Sequence, residues 1–358
     1  MLPYLFQQQL LCQKRGAGVG YPQNMAKILL VTGGAGFIGS HFVHYMLQHS
    51  DYTVRVLDAL TYAGRRENLQ EAEGNPRFEF LHGDVRSRET VEQAMEGVSL
   101  VAHFAAETHV DRSILYPDAF ITTDVYGTFV MLEVARQKGV ERFLHISTDE
   151  VYGDIEQGAF TEESPLRPNS PYAASKAGAD LLARAYYRTY GLPVIIARPS
   201  NTFGPRQYPE KLIPFLTVRA LQDEPLPLYG DGTQVRDWLY VEDHVRALAL
   251  LLERGQVGEA YNIAGGNERQ NREVARLILQ ILQKPESLLQ SVPDRPGHDR
   301  RYALDTRKIR ALGWQPQTPF EDALRETVLW YVHHPEWWEP ILKEQAEYRA
   351  FIQQWYSR

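Results

Sequence analysis

Four glycines lie where a short apolar segment gives way to helical spacing, in the stretch VTGGAGFIGS. Gly34, Gly36 and Gly39 have the dinucleotide-binding spacing, and Gly33, Gly36 and Gly39 satisfy a second version with glycine at every third residue. Glycine permits a tight turn and a close approach of the backbone to a pyrophosphate, while the free N–H groups and dipole of the following helix attract that anion. The stretch therefore predicts a strand, a phosphate-binding turn and a helix.

Asp58 ends the next apolar run about 20 residues later, where a dinucleotide site needs an acceptor for the ribose hydroxyls. A carboxylate there repels a 2′-phosphate, so the sequence favours NAD over NADP as the cofactor. Asp84 and Val85 end the third apolar run and are candidates for the adenine edge. The alternatives are a structural glycine turn with a solvated Asp58, and an ordinary strand-end turn at Asp84.

Six apolar runs alternate with helical patterns in the first part of the chain, namely AKILLVT, TVRVLDAL, FEFLHGDV, LVAHFAA, ERFLHIST and PVIIARPS. Strands that alternate with helices and are almost continuously apolar are typical of a parallel sheet covered on both faces. We therefore predict an α/β fold, a Rossmann-type doubly wound parallel sheet with a smaller C-terminal substrate-binding α/β region.

The domain organisation follows from where this alternation begins and ends. A well-formed strand pattern begins directly after Met25, and prolines become frequent after the sixth strand. We predict a flexible extension at residues 1–24, an NAD-binding domain at residues 25–200 to which residues 235–265 return, a substrate-binding region at residues 201–234 and 266–345, and a tail at residues 346–358.

Charge and cysteine content narrow the possible partners and compartment. The formal net charge of −7 argues against a nucleic-acid-binding surface. The only cysteine, Cys12, excludes a disulfide framework and a thiolate metal site, so a reducing cytoplasm fits best. No His or Cys pair has metal-ligand spacing and no apolar run approaches the roughly 20 residues that span a bilayer, so we expect neither a metal nor a membrane partner.

Tyr172 and Lys176 lie four residues apart in SPYAASK, at a predicted helix start marked by Ser170 and Pro171. This spacing puts both side chains on one helix face. An ammonium beside a phenol favours the phenolate, so we expect Lys176 to lower the pKa of Tyr172 from about 10 towards neutrality, and the positive nicotinamide ring to add to the effect. Tyr172 would then remove a hydroxyl proton while hydride leaves for NAD. A surface contact between two helix residues is the alternative.

Asp149 and Glu150 follow Thr148 at the end of the fifth strand, in LHISTDEVYG. For an arbitrary strand end, an acidic turn is the ordinary interpretation. Beside a cofactor site, two adjacent carboxyls can instead serve as acid and base when their environments separate their pKa values. The pair is therefore a catalytic candidate if the reaction needs both groups.

Seven stretches together resemble the extended short-chain dehydrogenase/reductase family, and within it the enzymes that dehydrate nucleotide-linked hexoses. Two of these stretches, TGGAGFIGSH and SPYAASKA, are shared with sugar-nucleotide epimerases and decarboxylases. The Thr-Asp-Glu triplet, HVDRSI and RPGHDRRYA are more specific to dehydratases. The stretches are TGGAGFIGSH, AAETHVDRSI, ISTDEVYG, SPYAASKA, YPEKLIP, RDWLYVEDH and DRPGHDRRYA, and the resemblance runs from about residue 26 to about residue 335.

The resemblance implies a reaction on dTDP-glucose that uses tightly held NAD. Carbon 4 of the hexose is oxidised, water is lost across carbons 5 and 6, and the same hydride returns to carbon 6. By resemblance, Glu150 is the base, Asp149 is the acid, and Thr148 hydrogen-bonds the carbon 4 oxygen beside Tyr172. The resemblance also implies a homodimer built from paired helices of the Rossmann region.

The glycine turn and the resemblance together assign binding residues. The cofactor positions are Gly33, Gly36, Phe37, Ile38, Gly39, Asp58, Ala59, Leu60, Thr61, Asp84, Val85, Phe104, Ala105, Ala106, Glu107, Thr123, Tyr172, Lys176 and Thr202. The substrate positions are Thr108, Thr148, Asn201, Lys211, Leu212, Pro227, Leu228, Tyr229, Arg236, Asn271, Asp294, Arg295, Pro296, Gly297 and His298.

Some of the substrate positions also have a physical argument. Arg236 and Arg295 suit a diphosphate because a guanidinium bonds two oxygens at once, although a single arginine is otherwise a common surface ion-pair partner. Tyr229 is placed either to stack on thymine or to pack as an ordinary aromatic residue. We expect His298 to hydrogen-bond the substrate rather than to transfer a proton.

Two positions depart from the family pattern. Thr108 stands where a serine is frequent, and Thr202 stands where a second asparagine is frequent. Both changes keep a hydrogen-bonding side chain, so they bear on the sugar contacts more than on the reaction.

Two other functions remain open from the sequence. One is another NAD-dependent sugar-nucleotide enzyme of the same fold, such as a 4-epimerase or a UDP-sugar 4,6-dehydratase. An epimerase has no use for an acid and a base at carbons 5 and 6. The other is a non-catalytic NAD-binding regulator, which would not require Thr148, Asp149, Glu150, Tyr172 and Lys176 together.

Overall fold

The computed structural model describes residues 27–294 and 297–344. Its strands are β1 Ile28–Thr32, β2 Thr53–Asp58, β3 Phe78–His82, β4 Val98–His103, β5 Arg142–Ile146, β6 Val194–Pro199, β7 Asn201–Phe203, β8 Leu226–Tyr229, β9 Val235–Tyr240, β10 Ala260–Ile263, β11 Glu268–Gln270 and β12 Leu289–Val292. The predicted segments at residues 1–24 and 346–358, together with Arg295 and Pro296, lie outside the described residues.

Helices connect these strands, and three short 3-10 turns and one π-helical segment accompany them. The helices are α1 Phe37–His49, α2 Arg88–Ala94, α3 Val110–Leu115, α4 Pro117–Phe120, α5 Thr128–Lys138, α6 Pro171–Tyr190, α7 Leu212–Leu221, α8 Val241–Arg254, α9 Asn271–Leu282, α10 Arg307–Ala311, α11 Phe320–His333 and α12 Pro335–Glu344. The 3-10 turns are Arg66–Ala72, Asp149–Tyr152 and Glu286–Leu288, and the π-helical segment is Ile121–Gly127.

The largest sheet has seven strands in the order β3-β2-β1-β4-β5-β6-β10. Every neighbouring pair in it is parallel. The strand order reverses between β1 and β4, which is the point where an open α/β sheet leaves a crevice at its carboxyl edge. The predicted doubly wound parallel sheet is confirmed, and the six predicted strands correspond to β1 to β6.

Helices cover both faces of this sheet because its strands are apolar on both sides. On β1, Leu29 and Val31 join the core beneath α1 and α8, whereas Leu30 points to the opposite core, which contains Val130 of α5 and Ala183 of α6. Successive strand residues face opposite sides, so one short apolar run supplies both cores.

The remaining strands form two small sheets beside the large one. β9 pairs in parallel with β7 and antiparallel with β11, and β8 pairs in parallel with β12. Within residues 235–265, β10 extends the large sheet beside β6, whereas β9 belongs to a small sheet. The division of the chain into domains stays a prediction.

Candidate active site

One cavity opens at the carboxyl edge of the large sheet. The glycine turn after β1, the loop after β4, the Thr148 turn after β5 and the start of α6 line this cavity. In a parallel sheet all strands end at the same edge, so residues far apart in sequence meet there. The cavity therefore joins the predicted cofactor turn to the predicted reacting groups.

The glycine turn leaves no room for side chains. A Cβ atom on Gly33, whose φ is +69°, would lie 2.7 Å from the backbone nitrogen of Ala105, and one on Gly39 would lie 2.2 Å from the carbonyl oxygen of Gly33. Helix α1 begins at Phe37 without a side-chain cap at Gly36, so its first N–H groups are available to a ligand. This bare, tight turn at a helix N-terminus fits the pyrophosphate of a dinucleotide.

Asp58, the last residue of β2, lines the part of the cavity that we predict to hold the ribose. Its Oδ2 accepts the N–H of Ala35 at 2.8 Å, and its Oδ1 accepts the N–H of Leu60 at 2.8 Å. Burial raises the pKa of Asp58, and these two hydrogen bonds lower it. Each carboxylate oxygen keeps a further lone pair, so Asp58 can also accept a ribose hydroxyl. Leu60 itself is not among the cavity residues and has a φ of +49°.

The side chain of Thr148 organises the turn that carries the two carboxyls. Its hydroxyl caps the 3-10 turn by accepting the N–H of Glu150 at 3.3 Å, and it also lies 3.2 Å from Asp149 Oδ1. Asp149 is 2% exposed, and its Oδ2 has no hydrogen-bond partner among the described residues.

Burial is the main cause that raises the pKa of Asp149 to about 8, and the neighbouring charge of Glu150 adds to it. A carboxyl with this pKa keeps its proton at neutral pH and can act as a general acid. Glu150 is partly exposed and also lines the cavity. The environments of the two neighbouring residues therefore differ, as a division between acid and base requires.

Helix α6 presents Tyr172 and Lys176 to the same cavity. Ser170 caps the helix by accepting the N–H of Ala173 at 3.1 Å, and Pro171 occupies its first turn, as the sequence predicts. The ammonium of Lys176 donates to the carbonyl oxygen of Ile146 at 2.7 Å.

The pKa of Tyr172 differs from our expectation. It is raised well above 10, first by burial and then by the charge of Glu150, and the hydroxyl of Thr148 only partly offsets this. Lys176 is itself buried, which lowers its pKa. Deprotonation of Tyr172 therefore requires more positive charge in the cavity than the described side chains supply.

The other predicted cofactor residues surround these groups. Apart from Leu60, every predicted cofactor residue lines the cavity, namely Gly33, Gly36, Phe37, Ile38, Gly39, Asp58, Ala59, Thr61, Asp84, Val85, Phe104, Ala105, Ala106, Glu107, Thr123, Tyr172, Lys176 and Thr202. Their assignment to the cofactor stays a prediction.

The predicted substrate residues fall into two groups. Thr108, Thr148, Asn201 and Lys211 line the cavity, and Leu212 follows Lys211 as the first residue of α7. The ammonium of Lys211 donates to the carbonyl of Thr108. The others described lie outside this cavity, namely Pro227, Leu228, Tyr229, Arg236, Asn271, Asp294, Gly297 and His298.

Tyr229 and His298 form a second cluster at the end of β8. Their rings meet edge to face with centroids 5.5 Å apart, and His298 Nδ1 lies 2.6 Å from Asp294 Oδ1. The hydroxyl of Tyr229 donates to Asp111 Oδ2 of α3 at 2.9 Å. Since α3 begins two residues after the cavity residue Thr108, this cluster adjoins the cavity.

Arg236 lies near the carboxyl pair rather than on the surface. It is buried, it donates to the carbonyl oxygen of Asp299 at 2.9 Å, and its guanidinium lies 4.4 Å from the ring centre of Tyr302. Its charge lowers the pKa of Asp149, which partly offsets the effect of burial. Arg236 therefore tunes the electrostatics of the predicted acid.

Two asparagines keep unused acceptors for a ligand. Asn201 Oδ1 and Asn271 Oδ1 are buried and have no hydrogen-bond partner among the described residues. A buried amide oxygen without a partner costs free energy, so a bound polar group would relieve it. Both residues belong to the predicted substrate set.

Several residues of the site were not predicted from the sequence. Glu210 accepts hydrogen bonds from Tyr62 and Arg112, both at 2.9 Å, and thereby joins the loop after β2 to α3. Glu210 lies within the quoted stretch YPEKLIP, which was the available signal for it. Asp124 lies in the π-helical segment and accepts the hydroxyl of Ser175, the residue before Lys176, at 2.6 Å. No pattern in the sequence distinguishes it.

The described residues offer neither a metal-binding cluster nor a membrane-spanning helix. Within residues 27–294 and 297–344, no three or more His, Cys, Asp or Glu side chains are grouped so that they could hold a metal ion. In the same ranges, no helix combines the length and apolar character needed to cross a bilayer. Both expectations stay predictions for the whole chain.

Comparisons with known proteins agree with this geometry. A family model described as GDP-mannose 4,6 dehydratase matches residues 30–327. The chain is 51% identical over 308 residues to the low-salt glycan biosynthesis protein Agl12 of Haloferax volcanii. The aligned region covers 86% of this chain and 99% of Agl12. The chain is 50% identical over 317 residues to a dTDP-glucose 4,6-dehydratase of Actinoplanes sp., with coverages of 87% and 99%.

A solved structure with similar architecture is that of DesIV, a dTDP-glucose 4,6-dehydratase from Streptomyces venezuelae, with NAD and dTDP bound. The two chains superpose with a TM-score of 0.86 and are 52% identical in sequence. The matched region covers 88% of this chain and 99% of the DesIV chain. The likeness extends over both the large sheet and the smaller region beside it.

Proposed function

The chain belongs to the GDP-mannose 4,6 dehydratase family, and on this premise we propose that it is an NAD-dependent dTDP-glucose 4,6-dehydratase. It is a hydro-lyase that converts dTDP-D-glucose to dTDP-4-dehydro-6-deoxy-D-glucose and water. The observation that carries this function is the buried Asp149, whose pKa is raised to about 8, beside Glu150 in the cavity that also holds Tyr172 and Lys176. An acid and a base are needed at carbons 5 and 6 only if water is removed there.

NAD, when bound, takes the hydride from carbon 4 and returns it to carbon 6. The chain provides for it a turn without side chains at Gly33 and Gly39, and a carboxylate at Asp58 for the ribose. Tyr172 accepts the proton of the 4-hydroxyl, and Thr148 hydrogen-bonds the same oxygen. A cationic ring near Tyr172 would lower its pKa, which burial and Glu150 have raised.

The elimination step uses the two neighbouring carboxyls. The ketone at carbon 4 acidifies the hydrogen at carbon 5, and the carboxylate of Glu150 removes it as a proton. Glu150 gives a proton back to carbon 5 when the hydride returns to carbon 6. Asp149 gives its proton to the hydroxyl at carbon 6, which leaves as water. Asp149 can do so at neutral pH because burial keeps it protonated.

The remaining polar groups suit the nucleotide sugar. Asn201 and Asn271 offer buried oxygens, Lys211 and Arg236 carry positive charge near the cavity, and Tyr229 provides an aromatic face beside His298. A nucleoside diphosphate needs this combination of cations, amides and an aromatic ring. We assign these residues to the substrate on this basis.

The function is tested by incubating purified protein with glucose nucleotides that carry deuterium at carbon 4. With dTDP-glucose, we expect the loss of one water while the deuterium is retained at carbon 6, as mass spectrometry of the product would show. Parallel incubation with UDP-glucose establishes the preferred base. Unchanged mass with conversion to the galactose isomer would indicate an epimerase instead, and no conversion of either substrate would contradict the proposal.

We further propose that the protein is a homodimer paired through α5 and α6. Five large apolar side chains are exposed on these helices and on the π-helical segment, namely Ile121 at 52%, Tyr126 at 51%, Phe129 at 38%, Leu181 at 52% and Tyr190 at 56%. A cluster of this kind is typical of a protein interface. The cytoplasmic location likewise stays a prediction.

The dimer is tested by sedimentation of the unaltered protein and of Leu181→Glu. We expect a dimer for the first and a monomer for the second, because a buried charge at an apolar interface is unfavourable. Val332→Glu on α11 is the matched control, since Val332 is also an exposed apolar residue but lies on another helix. A monomer for the unaltered protein would refute the proposal.

A further inference from the structure

Asn68 joins three separate elements around the predicted phosphate-binding turn. It lies in the 3-10 turn Arg66–Ala72 and is 1% exposed. Its Nδ2 donates to the carbonyl oxygen of Ala35 in the glycine turn at 2.9 Å, and its own carbonyl oxygen accepts a hydrogen bond from His44 Nε2 on α1 at 2.8 Å. Its Oδ1 accepts the indole N–H of Trp337 on α12 at 2.9 Å. One amide therefore connects helix α12 to the turn after β1.

Ala35 is the residue through which Asn68 reaches the cofactor site. It is the only residue other than glycine in the stretch GGAG. Its carbonyl oxygen also accepts the N–H of Arg65 at 3.0 Å, and its N–H donates to Asp58 Oδ2 at 2.8 Å. Asp58 is the predicted acceptor for the ribose. The peptide groups of Ala35 therefore join the pyrophosphate part of the site to the ribose part.

The two partners of the Asn68 side chain fix the orientation of its amide. An indole N–H can only donate a hydrogen bond, and a carbonyl oxygen can only accept one. Oδ1 must therefore face Trp337, and Nδ2 must face Ala35. Without the indole N–H, Oδ1 would be buried without this donor, at a cost in free energy. Any rotation of the amide towards another donor would break its hydrogen bond to Ala35.

Trp337 also contacts the second group that holds the Ala35 carbonyl. Its ring is 8% exposed and lies edge to face with the ring of Trp330, with centroids 5.2 Å apart. The guanidinium of Arg65 lies 5.4 Å from the centre of the Trp337 ring. Both donors to the Ala35 carbonyl oxygen, Arg65 and Asn68, thus contact this one side chain of α12.

We propose that Asn68 is a positioning residue for NAD and that Trp337 holds its amide, so that helix α12 slows the release of the cofactor. The inference rests on the proposed function, in which the hydride taken from carbon 4 must return to carbon 6 before NAD leaves. A turn that is loosened at Ala35 has to be ordered when NAD binds, and this cost weakens binding. Neither Asn68 nor Trp337 lines the cavity, so both act through the backbone of Ala35.

The test measures how fast bound NAD leaves the purified protein, without any turnover. Protein loaded with NAD is mixed with an excess of isotopically labelled NAD, and mass spectrometry of the protein-bound fraction follows the exchange. Trp337→Phe keeps an aromatic ring against Arg65 but has no N–H. We expect NAD to leave this variant about tenfold faster than the parent, the effect of one lost buried hydrogen bond.

Asn68→Ala tests whether Trp337 acts through the amide. It removes the hydrogen bond to Ala35 directly, so we expect NAD to leave at least as fast as from Trp337→Phe. Trp337→Phe added to Asn68→Ala should then accelerate the exchange by less than it does in the parent, because the two side chains act on the same turn. Fully multiplicative effects would show that Trp337 acts by another route and would overturn the inference.

Trp338→Phe is the matched control. Trp338 also lies on α12, is 5% exposed, and donates its indole N–H to the carbonyl oxygen of Tyr331 on α11 at 2.8 Å. The control removes the same atoms and one buried hydrogen bond, so we expect a lower Tm but exchange of NAD at the rate of the parent. Equal acceleration in both tryptophan variants, or none in Trp337→Phe, would overturn the inference alone. A parent protein that binds no NAD would overturn the proposed function as well.

Discussion

The hydroxyl of Thr148 lies 3.2 Å from Asp149 Oδ1, whereas Asp149 Oδ2 is buried without a hydrogen-bond partner among the described residues. One oxygen of the carboxyl is thus held by its neighbour, and we propose that the other receives the substrate. A buried polar atom without a hydrogen-bond partner raises the free energy of the folded protein. A hydrogen bond from a bound ligand to this oxygen would remove that penalty. The two oxygens of Asp149 therefore differ before any ligand is present.

The proton on Asp149 should set an upper pH limit for turnover. Burial raises its pKa to about 8, so the group is protonated below that pH and loses its proton as the pH rises through it. We expect kcat with dTDP-glucose to fall above about pH 8, because the acid for water loss is then ionised. A pH profile of product formation checks this. A rate that stays constant well above pH 8 would show that another group protonates the leaving hydroxyl.

Asp149→Asn removes the acid while it preserves the shape of the side chain. We expect the turnover rate to fall by roughly 100-fold or more, the usual contribution of a positioned general acid. Oxidation at carbon 4 should persist, since it depends on Tyr172 and Lys176. Product analysis after a single turnover would separate the two steps. A rate equal to that of the parent would exclude Asp149 as the acid.

The same variant should also be more stable at neutral pH. In the folded protein Asp149 keeps a proton that the unfolded chain releases above its pKa of 3.8, so stability is lost as the pH rises from about 4 to about 8. Asparagine has no such proton, and the cost disappears. Thermal melts at pH 7 should therefore show a higher Tm for Asp149→Asn than for the parent. A lower Tm would indicate that the carboxyl makes a stabilising contact.

Much of this architecture was predictable because it depends on local sequence patterns. Strands β1 to β6 are short, almost continuously apolar runs, and the glycine turn has a fixed spacing. Each feature depends on neighbours within a few residues. The large sheet and the cavity at its edge therefore followed from the sequence.

The features that were not predicted depend on contacts between distant segments. β7 is only three residues long and pairs with β9. A strand this short has no alternation of apolar and polar residues from which the small sheet could be predicted. The spacing of Tyr172 and Lys176 was correct, but the sequence cannot show that both are buried or that Lys176 donates to Ile146. This is why the predicted lowering of the Tyr172 pKa by Lys176 alone was wrong, whereas the predicted contribution of the nicotinamide ring stays a prediction.

Replacement of the base should separate the two halves of the reaction. In Glu150→Gln we expect normal binding of NAD and substrate, oxidation at carbon 4, and no water loss. Because the charge of Glu150 raises the pKa of Tyr172, its removal should also extend oxidation to lower pH. Accumulation of reduced nicotinamide on addition of dTDP-glucose would show both effects. Unchanged overall turnover would contradict the assignment of Glu150 as the base.

The buried ion pair of Asp180 and Arg198 should contribute strongly to stability. Arg198 donates to both oxygens of Asp180 at 2.9 Å, and it also donates to the hydroxyl of Tyr152 at 2.7 Å. Asp180→Asn leaves the guanidinium buried without its counter-charge. We expect the free energy of unfolding, measured by denaturant titration, to fall by about 3–5 kcal/mol.

Glu92→Gln provides the control for this experiment. Glu92 pairs with Arg88 at 2.8 Å on the surface of α2, where both side chains are nearly half exposed. Water already solvates both charges, so this loss should cost less than about 1 kcal/mol. Equal effects of Asp180→Asn and Glu92→Gln would mean that the interior near β6 admits water. In that case the interior near β6 would lack the low dielectric constant by which burial raises the pKa of Asp149.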